Sequence, residues 1–454
     1  MTSITTVKST SGLLRIIRQI VAILRPIHFM EKRYRKYGDF YQVTFSNSPP
    51  SVMTSNPQAI EEIFTAPSDK FEVGRGNKVL RFLVGDNSLL LLDGKAHKNR
   101  RRLLMPSFHG ESLQKFSYQI IEITQKLCSC WQVNQPFKVR PIMQEITLRV
   151  ILTAVFGIDS GTRYDRLRKL LTQLLDIFKT PLASSFIFFP ILQKDWGKFS
   201  PWGRFLLLKQ EIRSLIYEEI RERRELLALG KLDRKDIFSL LLSAKDETGQ
   251  GMSDEELHDE LLTLLFAGHE TTASALTWLF YWIHYLPEVK EKLLHELNSL
   301  GDKPDYKEIN NLPYLDAVIS ETLRIYPVVP GTFGRIINQP MSVMGYDFDP
   351  HTFFMISIYN LHHREDLYPN SKQFKPERFL QKSYSPYEYA PFGGGNRRCL
   401  GSALALLEMK LVIATILPRF QLELTSNRPM LPVRRGLTLA PPNSFKMVVN
   451  KILS

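Results

Sequence analysis

The chain has 454 residues, 44% hydrophobic and 23% charged, with a formal net charge of +13; this balance supports a large folded core and excludes a disordered or collagen-like chain. Three cysteines, Cys128, Cys130 and Cys399, are too few for a disulfide framework or a closed structural zinc site and point to a reducing, cytoplasmic setting. The charge invites a nucleic-acid reading, but the basic residues are spread along the chain without a recognised binding module, and an acidic protein partner or an anionic membrane surface explains it equally well.

No repeat, low-complexity tract or Gly/Ser linker divides the sequence, which reads as one domain over 1–454 with an amphipathic lead-in at 1–38. In that lead-in, "GLLRIIRQIVAILRP" is apolar but broken by Arg15 and Arg18 and stopped by Arg25 and Pro26. It is too short and too charged to span a bilayer, and at most lies on a membrane surface as a peripheral contact. "DFYQVTFSNSPPSVM", Asp39 to Met53, is β-branched and aromatic and predicts a hairpin around a Pro-Pro turn. From Pro57 to about residue 330 the pattern is mostly helical. Cys128 and Cys130 fall there in "IIEITQKLCSCW", a helix with an apolar face, and read as buried inert thiols.

A long helix is expected over "SDEELHDELLTLLFAGHETTASALTWLFYWIHYL", opened by a capping box from Ser253 to Glu256 and ended by Pro287. In its middle, "AGHETT" places Gly268, Glu270, Thr271 and Thr272 inside an apolar stripe, where a glutamate is costly unless it is paired or used. Further on, "ETLR" sets Glu321 and Arg324 three apart on one helix face, and Arg378 of the non-helical "FKPERF" can complete a network with them. Strand character returns in "RIINQPMSVMGYDFDPHTFFMISIY" and in the last thirty or so residues. Near the end, "FGGGNRRCLG" sets Cys399 just before the helix-forming "SALALLEMKLVIATIL", where unpaired N–H groups and the dipole favour a thiolate. The fold class is mainly α with a smaller β portion.

Taken in order, "AGHETT", "ETLR", "PERF" and "FGGGNRRCLG" resemble the motifs of the cytochrome P-450 family, the haem-thiolate monooxygenases, over nearly the whole chain. The resemblance implies the family's fold, with the long helix over the haem, and haem b (iron protoporphyrin IX) as cofactor. It implies Cys399 as the thiolate ligand of the haem iron, a donor that favours O–O cleavage. Phe392 would shield the sulfur, and Gly393, Gly395 and Gly401 would let backbone approach porphyrin and sulfur. Arg397 matches the propionate-binding arginine. In "HKNRRRLLMPSF", His97 and Arg101 match the family's aromatic and arginine pair, with His where many members have Trp, and Arg335 is a weaker third candidate. Glu270 and Thr271 match the acid and alcohol that deliver protons, while Gly268, beside Ala267, would leave room for O2. Glu321, Arg324 and Arg378 would form a structural network behind the haem.

An apolar distal pocket is implied, with matching segments in "RFLVGDNSLLLL", "SSFIFFPIL" at 184–192, Leu262, Leu265, Phe266, "VVPGTF" and "APPNSF". Without an evident cationic cluster, these suggest a lipophilic small-molecule substrate, a fatty acid or a terpenoid, as in soluble bacterial members. "GRGN" at 74–77 lacks the third glycine of a dinucleotide fingerprint, so no fused reductase is expected. Electrons then come from a separate ferredoxin or flavodoxin with its reductase, docking near Lys98, Arg100 and Arg398 on a monomeric enzyme. The rival readings are a peroxide-dependent haem-thiolate enzyme, which would turn over with peroxide but not with reductant and O2, a haem sensor or electron carrier, and a colourless basic nucleic-acid binder.

Overall fold

The structure is a computed structural model of the chain, and it describes residues 4–8, 20–22, 24–45, 48–178, 192–233, 236–301 and 304–453. Strand β1 (Thr6–Lys8) pairs in parallel with β2 (Phe40–Phe45), which pairs antiparallel with β3 (Ser48–Thr54). The expected hairpin is therefore present, but Pro49 and Pro50 lie in β3 and not in the turn. They sit where the β2–β3 register shifts, and β3 meets its other neighbour only from Ser51 onward, so their missing N–H groups break no ladder bond there. Most of the "GLLRIIRQIVAILRP" segment lies outside the described residues. Of the part described, Ile20, Val21 and Leu24 are exposed. The helical stretch that holds Ile20, Val21 and Leu24 breaks at Arg25, as expected, and Pro26 also opens α1 (Pro26–Tyr37), because a proline costs nothing at the first helical position.

Helices α2 (Pro57–Thr65), α3 (Gly94–Leu104), α4 (Glu111–Cys128), α5 (Val139–Phe156), α6 (Thr162–Asp176), α7 (Pro201–Ala228) and α8 (Ile237–Ser243) follow, with β4 (Phe71–Glu72) and β5 (Pro136–Lys138) between them. Their starts are written in the sequence: Asn56 Oδ1 accepts from Gln58 N and Ala59 N ahead of α2, and Ser200 Oγ accepts from Gly203 N ahead of α7. Cys128 is buried as expected, its thiol pushed up to about 12 by burial, but Cys130 lies just past the end of α4 and is exposed.

The long helix α9 (Asp254–Tyr285) is capped as read: Glu256 N donates to Ser253 Oγ at 3.2 Å and Ser253 N to Glu256 Oε2 at 2.9 Å. At 1.5 Å per residue it is about 48 Å long. Every residue from Thr272 to Ile283 is buried, and α9 packs most extensively against α5. Pro287 ends it and opens α10 (Pro287–Asn298), followed by α11 (Pro313–Ile325). Strands β6 (Arg335–Ile337), β7 (Met341–Val343), β8 (Tyr346–Phe348) and β9 (Phe353–Ile356) come next. One six-stranded sheet results, in the order β1-β2-β3-β9-β6-β4.

"FKPERF", read as non-helical, holds a short helix α12 (Glu377–Gln381) after Pro376. The last helix, α13 (Ser402–Ile416), is followed by β10 (Phe420–Leu424), β11 (Val433–Arg435), β12 (Thr438–Ala440) and β13 (Lys446–Ile452). One hydrophobic cluster joins helices α3 to α11 and α13 with β10 and β13, and a second joins α2 to the six-stranded sheet and Ala390. The segment from Ala390 to Gly401 leaves the second cluster and enters α13 in the first.

Candidate active site

Between Phe392 and Gly401 the chain closes on itself: Cys399 N donates to Phe392 O at 2.9 Å and Arg398 N to Gly395 O at 3.2 Å. Gly393 and Gly395 have φ of 67° and 63°, which disfavour any side chain. The glycines also yield to α2: a Cβ on Gly394 would stand 2.1 Å from the Phe64 ring, and one on Gly395 2.5 Å from Phe64 O. Their smallness admits a neighbouring helix, a reason the sequence did not disclose.

Cys399 is solvent-accessible, yet burial pushes its thiol above the ordinary range. The backbone N–H of Gly401, Arg101 and Arg398 pull it down without reversing the shift. The expectation of a helix-favoured thiolate is corrected here: Cys399 precedes α13 by three residues, and desolvation outweighs the amide and the charges. An accessible sulfur in dense surroundings is what the wall of a narrow interior cleft gives. Ala267, between buried Leu265 and His269 in α9, is likewise exposed.

Four basic side chains act on one another around this loop. Arg397 Nη2 pairs with Asp93 Oδ1 at 2.7 Å and its Nη groups donate to Leu89 O and Leu92 O, leaving Nε without a partner. Arg335 Nη2 donates to Gly394 O at 2.9 Å, and burial followed by Arg397 brings its pKa down to about 10. Arg101 acts on Cys399. Burial, then Arg397 and Arg101, lower His97 to about 3, so this imidazole is neutral and offers an N–H and not a charge. Asp93 is the acid paired with this group among the described residues.

Along α9, Thr271 Oγ1 donates to Ala267 O at 2.6 Å. Glu270 turns toward α5 and β11, where it pairs with Arg140, accepts from Gln144 Nε2 at 2.8 Å and lies 3.4 Å from Arg435 Nε. Burial alone would raise its carboxyl; Arg140, His269, Arg435 and Gln144 outweigh it and hold the pKa below the usual range. Neither arginine was expected: α5 carries Arg140, Glu145 and Arg149, and no local signal sets Arg140 apart. Gly268 also departs from expectation, since a Cβ there would meet Ile151 Cδ1 at 2.7 Å. Its smallness serves the α9–α5 contact, and the open side of α9 is at Ala267.

Glu321, Arg324 and Arg378 meet as expected. Arg324 grips Glu321 through Nε at 2.6 Å and Nη2 at 2.8 Å, Arg378 Nε reaches the same carboxylate at 3.1 Å, and Arg324 Nη1 donates to His362 O. Of the distal segments, Leu262 and Leu265 are buried in α9, while all of "SSFIFFPIL" except Leu192 lies outside the described residues. On the surface, Lys98 and Arg398 are exposed, but Arg100 is buried against Glu256 and Glu260 and cannot serve docking.

A family model described as cytochrome P450 matches residues 16–449. The Mycobacterium tuberculosis protein named cytochrome P450 135B1 is 34% identical over 95% of this chain and 89% of its own, and cytochrome P450 138 of the same organism 32% identical over 92% and 90%. The chain belongs to the cytochrome P450 family. Among solved structures, cyanobacterial CYP120A1 with retinoic acid bound superposes with a TM-score of 0.81 at 25% identity, over 95% of this chain and 96% of that one. The cytochrome P450DA heme domain gives 0.83 over 99% and 98%, at 23% identity, which speaks for the fold alone.

As a cytochrome P450 the protein is a monooxygenase that uses haem b. The residues present fit that group: an accessible thiol receives a backbone N–H, and basic side chains outnumber acids where two propionates need partners. When bound, haem supplies the iron at which O2 is activated. No helix among the described residues is long and apolar enough to cross a membrane.

Proposed function

We propose that this cytochrome P450 hydroxylates a lipophilic substrate, a fatty acid or a terpenoid, using O2 and two electrons from a separate ferredoxin or flavodoxin. Retinoic acid, which cyanobacterial CYP120A1 binds, is a terpenoid acid and supports that class. Cys399 ligates the iron; the observation that carries this is its accessible sulfur beside Gly401 N–H and Arg101. Arg397, Arg101, Arg335 and the N–H of His97 receive the propionates. Thr271, one turn from the exposed Ala267, holds a proton at its hydroxyl close to the reacting atoms. Glu270, kept ionised by Arg140 and Arg435, is ready to take up a proton from solvent and pass it on.

The deciding experiment records the Soret band of the reduced, carbon monoxide-bound protein beside Cys399→Ser. A strongly red-shifted band that the substitution abolishes is the expected result; a band at the histidine-ligated position in wild type would refute thiolate ligation. Reduction by an acidic ferredoxin should slow as salt rises, and Lys98→Glu and Arg398→Glu should slow it further, since both cations are exposed.

A further inference from the structure

Residues 85–93 run between α9 and the cysteine loop and are fastened to both. On the α9 side, Asp259 Oδ2 accepts from the backbone and side-chain N–H of Asn87 at 2.9 and 3.1 Å. Thr263 Oγ1 and Ser88 Oγ share a hydrogen bond of 2.7 Å, and Glu260 Oε1 accepts from Leu89 N at 2.8 Å. On the loop side, Arg397 Nη1 donates to Leu89 O at 3.3 Å, and Nη2 donates to Leu92 O at 2.6 Å and Asp93 Oδ1 at 2.7 Å. One residue, Leu89, is thus held through its N–H by Glu260 and through its C=O by Arg397. Arg100 closes the arrangement, its Nη1 donating to Glu260 Oε1 at 3.0 Å and to Asn87 O at 3.1 Å while Nη2 pairs with Glu256.

Stability does not account for Glu260. Its side chain is fully buried, Oε2 has no partner, and burial raises its carboxyl to about 7 despite Arg100. Replacing a whole buried ion pair of this kind by apolar side chains of similar volume is often neutral or stabilising. What the acid does provide is a fixed place for Leu89. With both Nη groups of Arg397 committed to the 89–93 backbone and Asp93, that backbone sets where the guanidinium points.

We propose that Glu260 is a positioning residue for the cofactor: through Leu89 it sets the Arg397 guanidinium in the orientation that receives a haem propionate. The inference rests on the reading of Arg397 as a propionate partner. Outer partners that orient a cofactor's ligands are worth about 10–100-fold in affinity when lost.

The test titrates haem into the purified apo-proteins and follows the Soret band. Glu260→Met, matched in length but unable to accept from Leu89, should bind haem about tenfold more weakly; it also takes one carboxylate from buried Arg100 and should unfold at a lower temperature, so affinities are compared well below both transitions. Glu260→Gln keeps an acceptor for Leu89 N–H and should bind like wild type, as should Glu256→Gln, which touches only Arg100 and its own helix cap. If Glu260→Met fails to fold, Glu260→Asp, one methylene short of Leu89, carries the same expectation. Wild-type affinity in the Met or Asp variant, or an equal loss in Glu256→Gln, overturns the proposal. Arg397→Gln separates the two levels: unchanged haem affinity there removes the propionate reading and this inference with it, whereas weakened binding there beside unaffected Glu260 variants removes the positioning role alone.

Discussion

Burial raises the carboxyls of both half-buried Glu270 and buried Glu408, and their surroundings give them opposite net signs. Glu270 has Arg140 and Arg435, which hold its pKa below the ordinary value. Its contribution to stability is therefore complete above the unfolded pKa of 4.5 and is lost as pH falls through the lower folded value. Glu270→Gln strands two buried arginines and should cost about 3–5 kcal/mol at pH 7. In thermal melts at pH 7 and pH 4, the gap to wild type should narrow at the acid end. Glu408, in α13, has no partner at Oε1, and burial alone raises its carboxyl from 4.5 to about 8. Here the folded state loses ground as pH rises from 4.5 to 8, because only the unfolded chain ionises freely. Glu408→Gln should match wild type near pH 5 and exceed its melting temperature near pH 9; an unchanged gap at the two pH values would show that the carboxyl ionises as readily in the folded chain as in the unfolded one.

The α9–α5 contact depends on one missing methyl group. A Cβ on Gly268 would press on Ile151 Cδ1 at 2.7 Å and Cγ1 at 3.2 Å, atoms packed in the main core. Gly268→Ala should cost about 1–3 kcal/mol of overpacking, offset in part by the roughly 0.5–1 kcal/mol a helix gains from losing a glycine. Ile151→Val removes Cδ1, so the double variant should recover most of the melting temperature lost by Gly268→Ala. Equal loss in the single and double variants would place the strain elsewhere. The same contact explains why Glu270 is not free in the cleft: Gly268, His269 and Glu270 all meet α5, with His269 bonding Gln144 O between them, and Ala267 with Thr271 lies on the other side of the helix.

Across the molecule, the glutamate–arginine network ties α11 to the chain that leads into α12. Glu321 and Arg324 have no exposed side-chain surface, and Arg324 also bonds His362 O and Gln373 O and lies 5.2 Å from the Tyr368 ring centroid. Arg324→Ala leaves Glu321 with Arg378 and the Lys375 N–H and opens backbone acceptors, a loss of about 3–5 kcal/mol. The variant should be recovered without haem; a stable, haem-loaded Arg324→Ala protein would show that the network is dispensable to the fold. Glu377, next to Arg378, takes no part and pairs with Lys292 at 2.6 Å on the surface.

By itself the sequence determined the family, the mainly helical order of elements, the capped 32-residue helix α9 and the Glu321–Arg324–Arg378 network, and it singled out Cys399 and Thr271 as candidates. Those signals are local: a capping box, a proline stop, a glycine run before a lone cysteine, two charges one helical turn apart. Only the tertiary structure decided what each group faces. Arg140 and Arg435 reach Glu270 from opposite parts of the chain, Phe64 of α2 explains Gly394, and Ile151 explains Gly268. Arg100 turned inward because Glu256 and Glu260 lie across from it, and Cys399 is desolvated because the fold closes around its loop. Burial and the charges that oppose it are set by residues far apart in the chain, and no local pattern encodes that distance.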